Sequence, residues 1–117
     1  MSEKLVSLSG SASLEQPIAV AATASPGTTI HTASADADDK DQLFLYVSSV
    51  HSAAVDLTLQ WGGTATVNNG VVTIAAKTLM QPIAIGQLLS NSGVLRAFAG
   101  TTNVLNIQGH VIRHRQQ

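Results

Sequence analysis

The sequence predicts an all-β chain folded as an antiparallel β-sandwich, with a jelly roll as one winding open to it. Three observations predict it. Short runs rich in Val, Ile, Leu and Thr recur at sandwich spacing. Turn-forming groups separate them: "SPG" at 25–27, "WGG" at 61–63, "NNG" at 68–70 and "NSG" at 91–93. No window keeps the 3.6-residue apolar stripe of a helix, and Gly, Pro, Thr and Val recur too often for stable helical turns.

The strands follow in order. "KLVSLS" (4–9) and "QPIAVAA" (16–22) flank a Ser-rich stretch, and "TTIHTA" (28–33) follows the first turn. "QLFLYVSSV" (42–50) places Leu43, Leu45 and Val47 on one face and Phe44 and Tyr46 on the other, so both faces need cover, from a second sheet or a neighbouring subunit. "AVDLTLQW" (54–61) alternates cleanly: Val55, Leu57, Leu59 and Trp61 form a core face, and Asp56, Thr58 and Gln60 a polar one. "VVTIAA" (71–76), "LMQPIAI" (79–85), "GVLRAFA" (93–99) and "NVLNIQGHVIR" (103–113) complete the set. Residues 17–117 read as one sandwich domain. Residues 1–16 read either as an N-terminal arm that reaches a neighbour or as an edge strand.

Composition sets the class of function. Only 11% of the 117 residues are charged, well below the usual quarter, and Ser, Thr, Ala and Gly fill the surface instead. Dispersed charge normally keeps monomers apart, so such a surface invites self-association. One Trp, one Tyr and two Phe leave the core to aliphatic residues, which bury less area each. The absence of Cys removes disulfides and thiolate metal sites and fits synthesis in a cytoplasm. The opening "MSEKLVSLSG" has no apolar signal core, no run is long enough to span a bilayer as a helix, and a formal charge of −1 offers nucleic acid no general attraction. Neither a membrane nor a specific nucleic acid is an expected partner.

The clusters that invite chemistry each have a plainer reading. "DADDKD" (36–41) reads as a solvated loop tip whose charges limit edge pairing, since a calcium loop begun at Asp36 needs Gly where Asp41 stands and Glu where Val47 stands. "HVIRH" (110–114) suits two ligands on a helix; on a strand, His110 and His114 stand about 13 Å apart at ~3.3 Å per residue, too far for one zinc. There is no G-x-S-x-G, no Cys, and no Glu after Glu15 to make a glycosidase pair, so no catalytic, cofactor or metal residue is assigned. Trp61 is the single indole on which a sugar platform would rest, and its parity assigns it to the core. At the C-terminal end, Arg113 and Arg115 fall on one side of the strand and are the candidate attachment contacts to an acidic neighbour.

Two stretches, "LFLYVSSVHSAAVDLTLQWGGT" (43–64) and "GVLRAFAGTTNVLNIQGHVIR" (93–113), carry a resemblance. The chain resembles small all-β structural proteins encoded by tailed bacteriophages. The resemblance implies a virion component without an active site or cofactor, made in the host cytoplasm. It implies a capsid cement or decoration protein, or else a tail or connector piece. It further implies a homo-oligomer, a trimer at a capsid three-fold, that packs on the major capsid protein or another virion protein. A receptor- or glycan-binding module at a tail tip is the rival expectation.

Overall fold

The computed structural model describes residues 2–11 and 16–115 and is an all-β sandwich of two antiparallel sheets. Its strands are β1 (Ser2–Val6), β2 (Ile18–Ala19), β3 (Thr28–Thr32), β4 (Lys40–Ser49), β5 (Val55–Trp61), β6 (Asn69–Ile74), β7 (Gln81–Ser90), β8 (Val94–Ala99) and β9 (Leu105–Arg115), with one 3₁₀ turn at Thr66–Asn68. The first sheet runs β1-β9-β4-β7, and β2 also pairs with β9; the second runs β3-β8-β5-β6. β1 and β2 lie end to end along the same edge of β9, Val6 opposite Val111 and Ile18 opposite Ile107. Apart from the β5–β6 hairpin, the chain changes sheet between successive strands from β2 onward. The thin dimension of 21 Å is what two sheets about 10 Å apart require once side chains cover both outer faces.

Alternation builds the core. Leu43, Leu45 and Val47 of β4 and Leu105, Ile107 and Val111 of β9 are buried from the first sheet; Ile30, Leu57, Ile74, Leu95, Ala97 and Ala99 are buried from the second. β9 passes so close to β4 at Gly109, opposite Leu45, that a Cβ there would collide with the carbonyl oxygen of Phe44. Glycine is required at that crossing.

Three local features depart from the strand pattern read in the sequence. β7 extends to Ser90 rather than ending near residue 85. Two register shifts against β4, between Leu43 and Phe44 and between Leu45 and Tyr46, and Gly86 at φ 99° carry it past what reads as a turn. In β5, Thr58 and Gln60 are buried although they lie on the polar face. The 21–27 connection explains Gln60: the Gly27 N–H donates to its Oε1 (2.8 Å), and its Nε2 donates to Ser25 Oγ (3.0 Å). Leu59 and Trp61, in turn, are only partly buried and pack on the margin of the core.

Residues 2–11 lie on the sandwich: β1 pairs with β9, Leu8 is buried, and the Gly10 N–H donates to the Ile30 carbonyl at 2.9 Å. Residues 12–15 of the N-terminal segment lie outside the described residues.

Candidate functional site

The acidic stretch divides where its turn meets β4. Asp36 and Asp38 are exposed, and the Asp38 N–H donates to Asp36 Oδ1 in a tight local turn. Asp39 and Asp41 are buried, so the solvated loop tip read from the sequence ends at Asp38, because β4 begins at Lys40 and carries the chain back to the core. Asp41 continues the inward series of Leu43, Leu45 and Val47, so β4 carries its carboxylate to the end of the core. Arg113 stands opposite it on β9 and grips it with two bonds, Nε to Oδ1 at 2.7 Å and a terminal nitrogen to Oδ2 at 3.0 Å. His31 of β3, also buried, places Nε2 2.8 Å from Asp41 Oδ2. The Ser9 N–H donates to His31 Nδ1 (3.0 Å), which fixes the tautomer: Nδ1 is the acceptor and Nε2–H the donor to Asp41.

Burial pushes the Asp41 carboxyl up, but the hydrogen bonds from Arg113 and His31 and the charge of Arg113 outweigh it and hold the group below the usual carboxylate range. Asp41 in turn raises the pKa of Arg113. Every polar atom of the carboxylate is engaged inside the protein, so the cluster holds strands together and offers no free base or nucleophile. Arg113, a candidate attachment contact, is thus bound to the interior. Arg115, the other, lies half exposed with Nε 3.7 Å from Asp39 Oδ2.

The remaining histidines are dispersed. His110 stacks on Phe44 with ring centroids 5.0 Å apart, and His114 sits between Gln42 Oε1 (3.0 Å) and Glu3 Oε2 (3.3 Å). β9 is continuous through both, so the extended spacing read from the sequence holds. Among the described residues, no three His, Cys, Asp or Glu side chains group in a way that could hold a metal ion.

Two surface features are left. The first is the outer face of the first sheet. Phe44 lies opposite His110 and Ile85, Tyr46 opposite Gln108 and Pro82, Gln42 opposite Ile112 and Leu88, and Leu5 opposite Ile112. Of these, Leu5 (72%), Ile85 (71%) and Leu88 (55%) are exposed, and no element of the described chain lies over them. Charge is confined to the end of the face where Glu3, His114 and Lys40 align. The second is a cleft of about 260 Å³ between the two sheets on the β6–β7 side, lined by Leu59, Trp61, Asn68, Asn69, Gly70, Ile83, Ala84 and Gln87. Trp61 gives one wall, and its Nε1–H is already spent on the Leu88 carbonyl (3.0 Å). Neither feature is legible from the sequence as a site, although the two-sided apolar pattern of "LFLYV" signals the first. Compared with protein-family models, with curated proteins and with solved structures, the chain gives no match in any of the three.

Proposed function

We propose that the protein is a non-enzymatic structural protein of a virion, a capsid cement or decoration protein that works by packing on copies of itself and on the capsid lattice. The observation that carries this reading is the uncovered apolar face of the first sheet, where Leu5, Phe44, Tyr46, Ile85, Leu88 and Ile112 lie side by side across four strands. Covering such a face removes apolar area from water at about 25 cal/mol per Å², and a lattice repeats the gain at every equivalent position. The 11% charge supports it, because little ionic hydration opposes the contact. The strand order β1/β2-β9-β4-β7 over β3-β8-β5-β6 supports jelly-roll winding, an architecture shared by viral capsid and lectin domains. The resemblance of residues 43–64 and 93–113 to tailed-phage structural proteins supplies the virion setting.

The test is electron microscopy of particles with the protein labelled, together with particle binding by Ile85→Lys. Regular label over the capsid, and lost binding by a variant whose melting is unchanged, are expected. Label confined to the tail tip would favour the rival glycan-binding module, for which the Trp61 cleft is the available pocket. Absence of label from particles would remove the reading.

A further inference from the structure

We infer that β6 is a two-fold self-association edge, and that Leu79 of each copy seats in the Trp61 cleft of the other. The inference rests on the self-association half of the proposed function but uses a different surface.

The first argument is elimination among the sheet edges. β1 is short and carries Glu3 and Lys4, and β2 is two residues long. β7 is broken by two register shifts, Pro82 and Gly86. β3 is already bonded on its outer side, since the Ile30 carbonyl accepts from the Gly10 N–H and Ser9 Oγ accepts from the Thr32 N–H. β6 alone has an unbroken register, with no proline and no charge. Natural sheets blunt their edges with those same devices, and this edge has none of them.

The second is the turn that follows it. Leu79 is 82% exposed, yet its backbone is pinned on both sides. The Lys77 N–H donates to the His51 carbonyl, the Ser49 N–H donates to the Thr78 carbonyl, Thr78 Oγ1 donates to the Ala75 carbonyl, and the Met80 N–H donates to Ser48 Oγ. Lys77 and Met80 both take positive φ, 52° and 54°, which costs energy in a residue with a Cβ. A strained, pinned turn holds a leucine out in water. A residue whose backbone is already held gives up less conformational entropy when it is covered than one on a mobile loop.

The third is register. The cleft opens at the start of β6, at Asn69 and Gly70, whereas Leu79 follows its end in the crossing to β7. Between them β6 itself, from Asn69 to Ile74, runs roughly 17 Å at ~3.4 Å per residue. Antiparallel pairing of β6 with its own copy about a two-fold near Val72 reverses one strand on the other. It therefore brings each Leu79 to the partner's Asn69–Gly70 end, where the cleft between the sheets stands open. A second copy suits this site better than a strongly charged partner does, because the chain from Trp61 to Ser90 carries a single charge, Lys77. The contact is isologous, so it yields dimers, and a trimer would have to form through the first sheet's outer face.

The experiment is sedimentation velocity on the wild type, Leu79→Ser, Gly70→Val and Ile85→Lys, with melting recorded for each. A Cβ at Gly70 meets nothing within 4 Å, so Gly70→Val fills the cleft without disturbing the fold. A wild-type dimer is expected, with the dissociation constant raised about tenfold or more by either Leu79→Ser or Gly70→Val. An equimolar mixture of those two variants should associate more tightly than either alone, because one intact leucine-in-cleft contact is restored. A wild type that is monomeric or trimeric, or dimers untouched by both substitutions, overturns the inference. If Ile85→Lys alone abolishes association, the edge contact is wrong while the outer-face reading of the function stands.

Discussion

Asp41 gathers polar side chains from β3 and β9 at the end of the core, and its environment gives a pH dependence with a definite sign. Its folded pKa is depressed, so the proton binds more readily to the unfolded chain. The stabilisation is therefore present above the unfolded carboxylate value of about 3.9 and is lost as pH falls through the lower folded value. Melting followed from neutral pH into acid should stay flat until about pH 4 and then fall, and Asp41→Asn should flatten that fall. Arg113→Met leaves Asp41 with His31 alone and should cost about 3 kcal/mol by denaturant midpoint, since it strands a buried charge. Gln60 makes a parallel case without charge: Gln60→Leu orphans the Gly27 N–H and should cost about 1–3 kcal/mol. The burial of Asp41 was missed, because the strand reads from Gln42 in the sequence; with β4 beginning at Lys40, Asp41 extends the alternation of Leu43, Leu45 and Val47. Its partners were not legible, because His31 and Arg113 come from other strands whose pairing a single sequence does not display. The burial of Gln60 was hidden for the same reason, since its cover arrives from the 21–27 connection.

At the scale of elements, the strands were legible wherever alternation and a turn residue agreed, as in β4, β5 and β8. They blurred where a bulge interrupted the period, as at Gly86 in β7. In β5, a charge at Leu57, which is fully buried, should abolish soluble folding, whereas the same change at Leu59, half-buried beside the cleft, should leave a folded but weakened protein. Soluble yield and far-ultraviolet circular dichroism of Leu57→Asp and Leu59→Asp check this order. Gly109→Ala should be as damaging as a core charge despite adding one methyl group, because the obstacle is the backbone of β4. The N-terminal segment is a comparable element. Removing residues 1–10 strips β1 from β9, takes Leu8 from the core and frees His31 Nδ1, so the melting temperature of the truncated chain should fall by several degrees. An unchanged melting temperature would show that the segment's place is on a neighbour.

For the whole molecule, the distribution of charge sets how it should behave toward partners. Arg113 is spent on Asp41, and the charges beside the outer face sit at one end, where Glu3 and His114 face each other. Association through the apolar part of that face should accordingly be nearly indifferent to salt, and particle binding measured from low to high ionic strength should change little. A steep loss of binding with salt would transfer the contact to Arg115 and its surroundings. The sandwich class was legible in composition and period because both report local chemistry. The open cleft and the unblunted β6 edge were not, because they are properties of how two sheets end, and no single strand encodes that.

The position of β9 has a consequence for synthesis. It is the last strand of the nine to be made, yet it lies between β1 and β2 on one side and β4 on the other. Until it leaves the ribosome, the first sheet has no centre: β1 and β2 have no strand to pair with, and β4 has only β7. The pairing that completes the sheet spans nearly the whole chain, Ser2 to Arg115, and long-range pairings of this kind form slowly. A nascent chain short of β9 is thus held open, and the outer face of the first sheet exists as a surface only after the sheet has closed. A chain broken off early would have no assembled face to offer, so a growing assembly would take up finished subunits and pass over fragments.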